Sequence, residues 1–351
     1  EQTLISHQDS TSGWSLFLDD EGCLAAELGK AGDTRKFRLE GSLRERKWYQ
    51  AWLTYDAQTS KLTLGKAILD PGLKSEDQTG SSTDYAFESV SQEIPFLIGA
   101  QFSGPIDSHF NGKLEEPKIF SRSLDQQEIE QAFSGKIPDG LLARWDFSRE
   151  IPTSRMIDLG PENLEGSLVN CPARGMTGSC WNGKEMCWRH APEDYGAIHF
   201  HEDDIYDFGW DTDFTIHLGE DLRSGIYAVK LECEGNEDFI PLFILPARGK
   251  RKADLCVLVS TFTYTVYGNH ARPDFKDRWR ERIRDWNAYP HNPADFRHYG
   301  LSTYNFHSDN SGICYASAQR PLMNLRPGYI TFGEGNGSGL RHYPVSYTHL
   351  T

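Results

Sequence analysis

A chain of 351 residues that is 38% hydrophobic and 12% aromatic is long and apolar enough for two or three folded domains, which excludes a disordered polypeptide. Its formal net charge of -15 speaks against nucleic acid as a partner, and no run of about 18 apolar residues is present to cross a membrane as a helix. The seven cysteines (23, 171, 180, 187, 233, 256 and 314) are odd in number and contain no C-x-x-C pair, which reads as reduced thiols in a cytoplasmic protein.

Residues 1–138 are expected to form an N-terminal jelly-roll β-sandwich. Short alternating runs are separated by turn residues: 14–18, then 48–55, which forms a hairpin with 61–65 across the turn at 56–60, then 96–99 and 110–114. Ser123-Leu124-Asp125-Gln126 reads as a capping box opening a short helix over 124–133. The parts KWYQAWLTYD, FLIGA and HFNGKLEEPKIFSRSLDQQEI resemble laminin-G or concanavalin-like jelly rolls in their order. Glu115, Glu116 and Asp125 read as ordinary surface charges, so packing or subunit contact is the expected role of this module.

Residues 139–250 read as a β-rich bridging domain, with a hairpin of 225–231 against 241–245 across Glu234-Gly235-Asn236-Glu237. This domain contains AIHFHEDDIYDFGW, residues 197–210, with two histidines and four carboxylates. His199 and His201 on a strand would share one face, and with Asp203 they make an H-x-H-x-D spacing that could serve a zinc hydrolase. A zinc hydrolase motif needs further histidines at the same centre, and His217 and His270 lie in other segments. The expected role is therefore a hydrogen-bonded structural cluster, with a calcium site or a contact with a neighbouring domain or subunit as the alternatives.

Residues 251–344 are expected to open a C-terminal α/β domain with a parallel sheet. The run ADLCVLVSTF, residues 253–262, is continuously apolar and β-branched, as a strand covered on both faces would be. Functional groups gather past the carboxyl ends of such strands, which puts Tyr264 and Tyr267 at that edge. Phe275, Trp279 and Ile283 mark one face of a helix ended by Pro290 and Pro293. The polar, aromatic stretch YGLSTYNFHSDNSG at 299–312 reads as a functional loop. GEGNGSG at 333–339 lacks the G-K-[ST] ending of a phosphate loop, and residues 345–351 read as a non-native tail.

STFTYTVYGN, YGLSTYNFHSDNSGICYASAQRP and RPGY, together with GAIHFHEDDIYDFGW and SGIYA, resemble the large (beta) subunit of N,N-dimethylformamidase, up to about Pro344. The resemblance implies an amidohydrolase that cleaves small N-substituted amides to amine and carboxylate. It implies a mononuclear ferric iron held by two tyrosines, mapping onto Tyr264 and Tyr304, with Tyr267 competing for the first position. The third ligand, a glutamate, falls beyond residue 351, so the chain reads as an inactive fragment. A small partner subunit and a hetero-oligomer are implied too, and His307 and Asp309 remain as catalytic candidates. Where the family tends to have Asp, this sequence has Asn305 and Asn310. Hard phenolate and carboxylate oxygens suit a Lewis-acidic iron that polarises a carbonyl and acidifies water. The rival readings are a non-catalytic glycan- or protein-binding jelly-roll protein and, after it, the zinc hydrolase.

Overall fold

The computed structural model describes residues 1–30, 32–83, 87, 89–91, 93–219, 221–249, 254–271, 277–285, 287–326 and 329, with the side chains of 277–279 left aside. Phe275, the Trp279 side chain, the glycine-rich 333–339 and the tail 345–351 lie outside the described residues. The chain divides into two compact units, Glu1–Glu202 and Asp203–Thr351.

The first unit opens as a two-sheet sandwich. Strands β1 (Gln2–Gln8), β2 (Gly13–Leu18), β3 (Cys23–Lys30) and β4 (Asp33–Ser42) form a consecutive antiparallel meander. The second sheet contains β5 (Tyr49–Asp56), β6 (Lys61–Ile68) and β7 (Gln78–Ser82), and β8 (Leu97–Ile98) returns to the free edge of β1. Leu16, Leu24, Ala26 and Leu28 from one sheet meet Leu62 and Leu64 from the other. Leu62 and Leu64 are fully buried, which is worth about 2 kcal/mol each by transfer from water. Gly65 pairs with Trp52, and a Cβ there would fall 2.1 Å from the indole, so the ring needs the bare backbone of that residue.

Helix α1 (Gln126–Phe133) starts two residues later than the sequence suggested. Its N-cap is Asp125, whose carboxylate accepts from Glu128 N at 2.8 Å while the Glu128 carboxylate accepts from Asp125 N at 3.0 Å. Glu128 wins the role because it is also fixed by Arg122, at 2.6 Å, a pairing that the neutral Gln126 cannot offer.

Much of the expected bridging segment is hydrogen-bonded into this first unit. The strand Gly112–Glu115 pairs with Ala197–Phe200, which also pairs with Ala173–Met176, and Lys118–Phe120 pairs with Leu141–Arg144. Trp145, Phe147, Met156 and Ile198 close a second core beneath them. Arg174, 8% exposed, gathers the loop at 147–155 by donating to the carbonyls of Phe147, Arg149, Glu150, Thr153 and Arg155.

In the second unit, Gly225–Cys233 and Asn236–Ile244 form a long hairpin. Glu234 and Gly235 at its turn both have positive φ (49° and 82°), as a two-residue type I′ connection requires. The strand expected at 253–262 does not form: among the described residues 254–260 have no regular structure, and the chain enters helix α2 (Thr261–Tyr267). A strand is defined by its ladder partner. No parallel strand ladder exists among the described residues, only a lone parallel bridge between Asp207 and Gln319. Helix α3 (Asp277–Asp285) follows with Ile283 buried, and then a 3₁₀ segment, Pro293–Tyr299. No described helix is long and apolar enough to cross a membrane. Of the cysteines, Cys23 is buried in β3, whereas Cys256 is exposed, and both are free thiols.

Candidate functional site

Helix α2 has the sequence TFTYTVY, β-branched and aromatic residues with weak helix preference, and its N-cap Ser260 makes no side-chain cap bond. Other segments hold it by taking the carbonyls left over at its C-terminal end. Val266 O accepts from Ser302 Oγ at 2.9 Å and from Thr303 N at 3.1 Å. The Arg320 guanidinium donates to Thr265 O at 3.0 Å and to Gly268 O at 2.9 Å. Arg320 is 5% exposed, and burial pushes it down to about 10, still protonated at neutral pH.

Docking Ser302 and Thr303 onto the end of α2 delivers the next residue, Tyr304, against Tyr267. The two rings stack at 4.2 Å between centroids with 18° between planes. A hydrogen bond to Tyr304, aided by burial, holds the Tyr267 phenol above its usual value. Tyr264 lies one turn earlier on α2, stacked at 6.3 Å on Phe243. Of the two tyrosines competing for one position, Tyr267 touches Tyr304; Tyr264 is placed on the same helix, three residues away. Neither stands at a strand edge.

Asn269, fully buried at positive φ, ties the surrounding loops together. Its amide donates to the carbonyls of Gly300 and Pro321 at 2.9 and 2.8 Å, and it accepts from Met323 N at 2.8 Å. Asn305 clasps one residue from both sides, accepting from Ala271 N at 2.9 Å and donating to Ala271 O at 2.7 Å. A carboxylate cannot donate, which explains asparagine here in physical terms. Asn310 sits at φ 66°, a conformation asparagine tolerates.

His307, 5% exposed, meets Asp203 at 2.6 Å through Nδ1, and its Nε2 stands 3.8 Å from Asp204. Arg297 donates to the other oxygen of Asp203 at 3.4 Å and to Phe306 O at 3.1 Å. The Asp203 carboxylate, one of the three groups of the zinc reading, is thus engaged with His307 and Arg297. His199 and His201, the other two, have ring centroids 4.2 Å apart, with His201 buried. Asp309 accepts from the backbone and hydroxyl of Ser311 at 2.8 and 2.6 Å, which shapes the turn after His307. In the RPGY motif, Arg326 lies 4.0 Å over the Tyr289 ring and pairs with Asp238.

Residues 173–346 match the family model described as N,N-dimethylformamidase beta subunit-like, C-terminal, and residues 1–130 match the concanavalin A-like lectin/glucanases superfamily. The N,N-dimethylformamidase beta subunit of Paracoccus aminophilus is 33% identical over 93% of this chain, and that of an Alcaligenes species 32% over 92%. The chain belongs to the N,N-dimethylformamidase beta subunit family. It spans about half the length of these curated relatives, 46% of each. Two residues of this dimethylformamidase-family chain, Asn269 and Arg320, build the site without having been singled out from sequence. Both lie inside motifs that carry the resemblance, YGN and AQRP, but their roles depend on backbone carbonyls far along the chain.

Proposed function

We propose that this chain is the large subunit of an iron-dependent amidohydrolase acting on small N-substituted amides, working with a smaller partner subunit in a hetero-oligomer. The observation that supports it is the Tyr267–Tyr304 pair, two phenol oxygens brought into hydrogen-bond contact at the end of α2. Two adjacent phenols fit a ferric centre, whose hard acidity favours anionic oxygen donors. Tyr304 supplies one donor, and an α2 tyrosine supplies the other: Tyr264 by family resemblance or Tyr267 by contact. A glutamate from the part of the family that this chain does not cover completes the set. Bound iron supplies Lewis acidity toward an amide carbonyl and an acidified water.

The remaining roles belong to this chain. Ser302, Thr303 and Arg320 fix the end of α2 and so hold the tyrosines in register. Asp203 fixes the orientation of His307, whose Nε2 faces Asp204 at 3.8 Å. Iron content, the visible phenolate-to-iron absorption and amide hydrolysis should be measured on the protein at its relatives' full length. Tyr304→Phe abolishes all three. Between Tyr264→Phe and Tyr267→Phe, the variant that loses the absorption identifies the second donor. Unchanged colour and activity in Tyr304→Phe overturns the assignment.

A further inference from the structure

The run after the 225–244 hairpin has the composition of a strand covered on both faces, yet 254–258 are exposed and only 259–260 are half-buried. Leu255, Val257, Leu258 and Phe262 are 87%, 75%, 91% and 89% exposed. Leu255 and Val257 fall at odd positions and Leu258 at an even one, while Phe262 already lies in α2, so no alternation within the run leaves one side polar. An edge strand on a half-solvated sheet would alternate; a central strand beneath two layers would not. The hairpin beside it in sequence has no further strand partner among the described residues. Gly225–Cys233 and Asn236–Ile244 form a two-stranded sheet, with Ile226 and Ile240 62% and 49% exposed. An isolated two-stranded hairpin is marginal in water, and unpaired edges beside exposed apolar side chains invite another strand.

We infer that the segment at 254–260 is a docking strand for the part of the polypeptide that the relatives carry and this chain does not cover, which adds β-strands beside it. Length supports this occupant. The run lies within the residues that match the family, while more than half of each relative lies outside the match. A strand with two apolar faces needs layers on both sides, which a polypeptide of that size can provide. A second copy joined edge to edge covers neither face. The inference is independent of the iron reading, since it stands on exposure and length.

The test co-expresses the 351-residue chain with the uncovered part of the Paracoccus aminophilus relative, then measures mass by light scattering and backbone hydrogen exchange over 225–260. A one-to-one complex is expected, with exchange slowed at 254–260. Leu258→Asp should keep the circular dichroism of the parent chain, because the side chain is 91% exposed there. It should weaken the complex about a hundredfold or more, because a carboxylate would then be buried without a partner. Absence of a complex, or a complex indifferent to Leu258→Asp, overturns the inference. So does concentration-dependent dimerisation of the chain alone that Leu258→Asp removes, which would assign the run to a second copy. Loss of iron binding from an intact complex counts only against the proposed function.

Discussion

Asn305 and Tyr267 show how single functional groups define the site. The Asn305 amide satisfies both the N–H and the carbonyl of Ala271, so Asn305→Asp removes a donor and sets a carboxylate against a carbonyl. The expected loss is about 1–3 kcal/mol, read from urea denaturation, whereas Asn305→Gln should fail mainly through geometry. The aspartate that the resemblance implies at this position should therefore cost stability unless Ala271 finds another partner. The Tyr267 phenol is raised above the ordinary 10.0 chiefly by its bond to Tyr304. A raised acid favours folding while protonated: the contribution is full below pH 10 and is lost as pH climbs through the folded value. Ultraviolet titration of tyrosinate should show two late-titrating phenols among the described residues of the metal-free protein, Tyr289, raised by burial, and Tyr267. The Tyr267 phenol should move back toward the ordinary value in Tyr304→Phe, and an unchanged titration curve would remove the hydrogen bond from the account.

At the scale of elements, α1 and α2 are stabilised in opposite ways. Helix α1 carries its own start signal, and Asp125→Ala should cost about 1 kcal/mol through the lost cap. Arg122 holds the Glu128 carboxyl down to about 2, from an ordinary 4.5. A depressed carboxyl stabilises the fold above its ordinary value, and that contribution drains away as pH falls from 4.5 toward 2. Glu128→Gln should thus be less stable than the parent at pH 7 and indistinguishable from it near pH 2, by thermal melts across that range. Helix α2 has no such local code. Arg320→Met strips donors from the carbonyls of Thr265, Gly268 and Ser317, and at about 1–3 kcal/mol for a buried unpaired group should cost at least 2 kcal/mol. It should also separate Tyr267 from Tyr304, lowering the late Tyr267 titration. This contrast sets what could be read from sequence. Helix α1 and the β5–β6 hairpin depend on residues a few places apart and were legible, although the capping box lies at Asp125–Glu128 and not at Ser123–Gln126. The run at 253–262 reads as a strand, but a strand forms only beside a partner. The His307–Asp203 pair spans 104 residues and follows no period. The tyrosine motifs were legible through resemblance, but which α2 tyrosine faces Tyr304 depended on where Ser302 and Thr303 dock.

Across the whole molecule the two compact units differ in how much apolar surface they enclose. Among the described residues the first has two cores, one between the sandwich sheets and one around Trp145 and Phe147. The second encloses a small cluster of Ala271, Leu301 and Ile313. Burial drives stability roughly in proportion to apolar area. Hydrogen exchange in rising urea should therefore release the amides of 287–313 before those of β2, β3 and β6, which stay protected to higher denaturant. A single concerted release would join the units into one cooperative fold.

Free thiols at Cys23 and Cys256 give this asymmetry a chemical clock. One sits inside β3 and the other within the exposed apolar run, so a single alkylating reagent meets both at very different rates. Cys256 should be modified on mixing, and Cys23 only as fast as the sandwich opens. The ratio of the two adducts, read by mass spectrometry without any substitution, compares local covering with global opening in one sample.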